Sequence, residues 1–354
     1  FGRGFFVLDD YSALREFTQD NLSQKGKLFT PREAKWFVPR SNIGNTGADY
    51  YFAENPKYGA VFTYHLADDY KTAKDIRRDK EAELNKRNAN IPFPGWEKLD
   101  KEREEEPASV VLTIQDNQGN VINKISKRAS DGSHRIAWDF SHFNPYPVTS
   151  ESSNYNRSGA LAKPGTYNAS LALIKDEEVT PLDGPISFDV KAIHEGVLKG
   201  IGYEEYNAYL TEVSELYRAV SAVEDVLSES DKMQKLMANA LKKTKILPGS
   251  IEPKITKLKF DIIRIKKSIS GSPSRSEVGE KNPAGINNYL YNATLGLRDS
   301  YGPTPLHRKS LEIAKKLLAE LREEVNSLSK IQIPEITKDL KAAGAPYISG
   351  QGID

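Results

Sequence analysis

The apolar period of this chain changes once, and that change constrains the fold more than any other feature. Between residues 107 and 193 apolar residues recur at every second position, as strands require. Between 200 and 343 they recur at spacings of three and four, as one face of a helix requires. In the first stretch Val110, Leu112 and Ile114 alternate with Val111, Thr113 and Gln115. Asp116-Asn-Gln-Gly119-Asn120 supplies a hairpin turn into Val121–Ile125. His134, Ile136, Trp138 and Phe140 alternate next. Tyr167, Ala169, Leu171 and Leu173 follow the Pro164-Gly165 turn, and Ile186, Phe188 and Val190 close the series. Short strands at this spacing predict a sandwich of about 90–100 residues. In the second stretch three stripes predict an antiparallel helical bundle: Tyr206 to Leu227, Ile255 to Ile269 and Leu311 to Leu328. Thr304-Pro305 reads as an N-cap followed by proline at the first helical position. A short helix is expected around Asn287–Leu297, and Ile333-Pro334 restarts a last one.

The first 106 residues divide again. Residues 1–66 are aromatic-rich and strand-like, with Phe5–Leu8 and Ala60–Leu66 as strands and Ser12–Phe17 as one helical turn. Residues 67–106 are charged throughout, with ten Lys or Arg and ten Asp or Glu between Lys71 and Glu106. A helix polar on all sides over Lys71–Asn90, stopped by Ile91-Pro-Phe-Pro-Gly-Trp96, reads as an insertion between two strands of one sheet. The expected organisation is therefore 1–66, 67–106, 107–195 and 200–345. The 354 residues are enough for two or three domains with real cores.

Composition narrows the chemistry. With 50 Lys and Arg against 49 Asp and Glu, the formal net charge is +1, which gives no bulk attraction to nucleic acid or to an acidic membrane. No apolar run is long enough for a membrane span. Cysteine is absent, which removes disulfides and thiolate metal sites. His65, His134, His142, His194 and His307 are scattered, with no pair at i, i+4 and no His-Glu-x-x-His, so no metal site is expected and no cofactor is implied. No Gly-x-Ser-x-Gly or phosphate loop occurs. Asp9-Asp10 and Asp68-Asp69 are adjacent carboxylates that point to opposite faces of a strand, so they read as turns or caps rather than an acid–base pair. Glu104-Glu-Glu106 reads as a solvated charge run. Ser130-Asp-Gly-Ser133 has the look of an Asp-box turn, but turn plus strand explains it better; His134 is expected beside Trp138. Asn21, Asn156, Asn168 and Asn292 head chance matches to the glycosylation pattern. Of the three tryptophans, Trp138 is expected in the core, whereas Trp36 and Trp96 offer rings for stacking on sugar and are the binding candidates, Trp96 the more so in its Pro-Gly setting.

Two sets of residues carry a resemblance. Leu112–Ile122, His134-Arg-Ile-Ala-Trp-Asp139 and Lys163-Pro-Gly-Thr-Tyr167 resemble a bacterial immunoglobulin-like module of the flagellar-hook-capping type. Gly2–Asp10, Pro31-Arg32, Tyr58–Val61, Pro92–Trp96, Pro303-Thr304 and Gly344-Ala-Pro346 together resemble the large secreted BNR/Asp-box, sortilin-like β-propeller proteins of Bacteroidetes, often labelled glycosyl hydrolases. The resemblance implies a C-terminal region: the last propeller strand, an immunoglobulin-like sandwich with a charged helical insertion, and the bundle. It implies an extracellular, cell-surface or periplasmic location, with the upstream propeller, and a cell-surface or secretion complex, as partners. It carries over no catalytic residue, because the blades are not in this sequence. The function expected is a non-catalytic structural or interaction region. The alternatives are an accessory part of a glycoside hydrolase with its active site in the propeller, and a carbohydrate-binding module. Phe1 in place of Met gives the further expectation of a piece of a longer or processed chain.

Overall fold

The computed structural model describes residues 8, 10–39, 55–145, 159–194, 196–197, 199–247, 249–298 and 301–349. The expected strand Phe5–Leu8 and the residue Asp9 fall almost wholly outside them. The protein is mixed α and β with a helical C-terminal region, and it divides into two compact units, residues 1–144 with 157–197 and residues 145–156 with 198–354.

The first unit opens with a tight helical turn at Ser12–Glu16 and a single turn α1 (Gln19–Leu22). The strands β1 (Gly26–Leu28), β2 (Ala34–Trp36) and β3 (Ala60–Leu66) come next, then the helices α2 (Ala73–Lys86) and α3 (Trp96–Glu104). The remaining strands are β4 (Ser109–Asp116), β5 (Val121–Arg128), β6 (Gly132–Trp138), β7 (Gly165–Lys175) and β8 (Glu178–Ala192). They build a three-stranded antiparallel sheet, β1-β3-β6, and a five-stranded sheet, β2-β8-β7-β4-β5, in which only β2 and β8 run parallel.

Strict alternation sets which side chains are inside. Val110, Leu112 and Ile114 of β4 and Tyr167, Ala169, Leu171 and Leu173 of β7 are all buried. Each large apolar side chain among them gains about 1.5–3 kcal/mol over exposure. The two sheets meet through aromatic edges. Phe62 of β3 stands edge-on to Phe188 of β8 at 5.0 Å, and Trp138 of β6 meets Tyr167 of β7 at 5.1 Å. Trp138 is fully buried, and its indole N–H donates to the Ser141 carbonyl at 2.8 Å. At Gly59, φ is +118° and the backbone passes so close to Trp138 that a Cβ would lie 1.9 Å from its carbonyl oxygen, which is why β3 must be entered through glycine.

Two expectations change here. Residues 67–106 do not interrupt one sheet: β3 belongs to the three-stranded sheet and β4 to the five-stranded one, so the excursion links sheets. Strands from 26–66 also share both sheets with strands from 107–192, β3 pairing with β6 along its whole length and β2 with β8.

In the second unit, α4 (Tyr203–Leu241), α5 (Ile251–Ser270), α6 (Pro273–Glu277), α7 (Ile286–Leu295), α8 (Pro305–Ser327) and α9 (Ile333–Ala342) form three rods. The ion pairs give their directions. Glu205–Arg308 and Glu212–Lys315, each at 2.6 Å, advance together, so α4 and α8 run parallel. Lys254–Asp339 and Arg264–Glu324 advance oppositely, so α5 runs antiparallel to α8 and α9. Helix α7 starts where α5 ends, with Asn287 Nδ2 donating to Ser270 Oγ at 3.0 Å. The expected antiparallel bundle is thus an up-down-up arrangement whose first and third rods are parallel. Thr304 caps α8 as expected: its hydroxyl accepts from His307 N–H, and its own N–H donates to His307 Nδ1. Ile333-Pro334 begins the last short helix, α9, as expected, but with no break in the chain's helical path. Pro334 lacks an N–H and its ring crowds the carbonyl four residues back, and the backbone widens into a π-turn over Leu328–Gln332, staying helical from α8 into α9.

Candidate functional site

The residues singled out by the sequence do not converge. Trp36 is buried, 6% exposed, and its Nε1 donates to the Ala162 carbonyl at 2.8 Å, so the reading of Trp36 as a stacking platform is corrected to a core residue. Trp96 is the opposite case, 74% exposed at the first position of α3. Asp10 accepts from Ser12 N–H and Oγ, and Asp139 from Ser141 N–H: both hold turns. Asp69 pairs with Lys71. His134 lies against Tyr64, not Trp138, and its Nε2 donates to the carbonyls of Ser130 and Asp131. His65 meets Ser133, and His307 completes the α8 cap. Among the described residues no group of three His, Asp or Glu is placed to hold a metal ion.

What does stand out is the helical hairpin made by α2 and α3, and no apolar residue of either helix is buried. Such a pair needs another source of order, and charge supplies it. Arg77 grips Glu102 with two nitrogens, Nε at 2.8 Å and Nη2 at 2.7 Å, and reaches Glu81 with Nη1 at 2.7 Å. The Glu102 side chain is only 8% exposed, so this two-point pair is worth more than an ordinary surface ion pair. The Arg77 hydrogen bond holds the Glu102 carboxyl below its usual range and pushes Arg77 up. At the base, Thr72 and Asp75 form a reciprocal capping box, Arg128 of β5 pairs with Asp75, and Glu105 accepts from Ala73 N–H at 2.7 Å.

The linker between the helices is built to display aromatics. Gly95 has φ +93°, which a side chain at that position would resist, and this turn swings Trp96 onto α3. Phe93 stands edge-on to Trp96 at 4.9 Å, itself 61% exposed. Ile76 and Ile91 are exposed as well. Between the two helices lies an open groove of about 890 Å³, floored by Ile76 and Leu84, walled by Pro92 and Phe93, and rimmed by Lys80, Lys98 and Lys101. Sequence reasoning found Trp96 but missed α3 and the groove, because α3 carries no apolar stripe.

A second groove, about 640 Å³, runs between the parallel helices α4 and α8 past Ala219, Val223, Leu318 and Ala319. Among the described residues no helix is long and apolar enough to cross a membrane.

Fold and site together define a two-unit, mixed α and β chain that displays an aromatic-tipped helical hairpin. No family model matches this chain, and no curated protein does. No sequence match therefore supports the propeller-protein resemblance. Among solved structures, dimeric latent PorU from Porphyromonas gingivalis, a Bacteroidetes protein, is similar over 39% of this chain and 9% of its own, at 13% identity and a TM-score of 0.22. A likeness at that score bears on neither fold nor function.

Proposed function

We propose that this chain is a non-catalytic structural and interaction region that meets a partner through the α2–α3 hairpin. The observation that carries this reading is the exposed Phe93–Trp96 pair, raised on helices held by ion pairs and bearing no core of their own. Large aromatics in contact with each other and with water mark contact surfaces. The finer architecture proposed is that of the resembled family: the end of a propeller blade, an immunoglobulin-like sandwich and a bundle, in a secreted or cell-surface protein. A second reading has one observation in its favour: the indole face of Trp96, at 74% exposure, is open to a sugar ring, as in a carbohydrate-binding module.

A photo-activated cross-linking residue placed at position 96, with a second variant carrying it at exposed Tyr347, tests the proposal in extracts of the source cell. Protein adducts concentrated at 96 are expected. Equal labelling at both positions contradicts the interaction surface, and adducts made only of glycan move the assignment to the second reading.

A further inference from the structure

The charges around the α2–α3 groove are unequal in a way that names a partner chemistry. Three carboxylates lie in its lining and each has a partner: Glu81 and Glu102 share Arg77, and Glu105 accepts the Ala73 N–H, a bond that leaves its charge in place. Among the described residues Lys80, Lys98 and Lys101 line the groove and enter no ion pair. With Arg77, Lys80, Lys98 and Lys101 against Glu81, Glu102 and Glu105, the lining has a formal net charge of +1, and its lysines stand beside the apolar side chains of Ile76, Leu84 and Phe93. The whole hairpin lies within one compact unit, and neither helix contributes a buried apolar residue, so the missing apolar layer is open to be supplied from outside.

We propose that the groove takes an acidic polypeptide segment of a partner protein, its apolar side chains seated on Ile76, Leu84 and Phe93 and its carboxylates met by Lys80, Lys98 and Lys101. This rests on the interaction reading above and adds the partner's chemistry. The apolar part of the lining, Ile76, Leu84, Pro92, Phe93 and Pro94, favours a peptide with large apolar side chains over a glycan, which has none to bury there. The free rim charge selects acidic over neutral segments and steers the encounter.

The test uses the full chain and three fluorescent probes: a twelve-residue peptide of Glu, Leu and Phe, the same peptide with Gln for every Glu, and an oligosaccharide of uronic acids. The Glu peptide is expected to bind, more weakly as NaCl rises from about 50 to about 500 mM. The Gln peptide and the uronate are expected to bind at least tenfold more weakly. A Lys80→Glu, Lys98→Glu, Lys101→Glu variant and a Phe93→Ala variant are each expected to weaken the Glu peptide at least tenfold, with unchanged circular dichroism and melting temperature. Equal binding of the Glu and Gln peptides, tighter binding of the uronate, or no peptide binding overturns the proposal. So does self-association of the chain, read by light scattering and lost in Phe93→Ala. Cross-linking at position 96 in the face of such a result leaves the interaction surface standing and removes only the acidic partner.

Discussion

At the scale of single residues, the three tryptophans show what burial decides. All three are large apolar side chains near turns, and the local sequence does not say which rings face inward. Trp138 is packed among Phe140, Tyr167 and Phe188, whereas Trp96 touches one exposed neighbour. Trp138→Ala is expected to lower stability by about 3–5 kcal/mol, and Trp96→Ala to stay within about 0.5 kcal/mol in urea melts. Comparable losses would mean that Trp96 is covered. His142 gives a pH signature. Among the described residues its Nε2 is buried without a hydrogen-bond partner, and burial pushes its pKa down to about 4, against a weaker opposing pull from Asp116. The folded protein therefore binds fewer protons than the unfolded chain between the ordinary value near 6.5 and about 4. Stability should be full above that window and fall on acidification through it, by on the order of 3 kcal/mol. Melts from pH 7.5 to 4 on the wild type and His142→Gln check this: the slope assigned to His142 should be absent from the variant.

At the scale of elements, much was legible and the misses have physical causes. The stripe from Tyr206 to Leu227 marks α4, yet the helix runs on to Leu241, and the stripe does not show this because Ser230 and Gln234 occupy buried positions where an apolar residue is expected. Strands β1 and β2 have three residues each, too few to show a period, and the first half of β8 carries Glu178, Pro181 and Asp183. Stripe membership also overstates burial. Ile262 is 1% exposed, but Leu318 is only half-buried, on the wall of the groove between α4 and α8. Ile262→Ala should cost about 2–5 kcal/mol and Leu318→Ala clearly less, by urea melts; equal costs would mean that the groove is closed. The hairpin, with no buried apolar residue, should be the first element to open. Trypsin is expected to cut first at Arg78, Lys80, Lys86 or Arg87, and faster in Glu102→Gln, which removes the charged partner that ties Arg77 of α2 to α3. First cuts within α4 or α5 would contradict this ordering.

At the scale of the whole molecule, two well-cored units carry one element that has no core. Sheet pairing and helix stripes account for the units, and both periods were readable in the sequence. The site was not, since it depends on which carboxylates pair with Arg77 and which lysines are left over, and pairing is settled by the fold. On the function proposed above, the α2–α3 hairpin is an ordered surface completed by a partner. Amide hydrogen exchange on the full chain, alone and with the Glu-Leu-Phe peptide, tests it most directly. Fast exchange is expected over residues 73–104 against slow exchange in β4, β7 and α5, with the peptide slowing 73–104 and leaving α4 and α8 unchanged. Protection of 73–104 equal to that of β4 and β7 in the free chain, or peptide protection confined to α4 and α8, would contradict it.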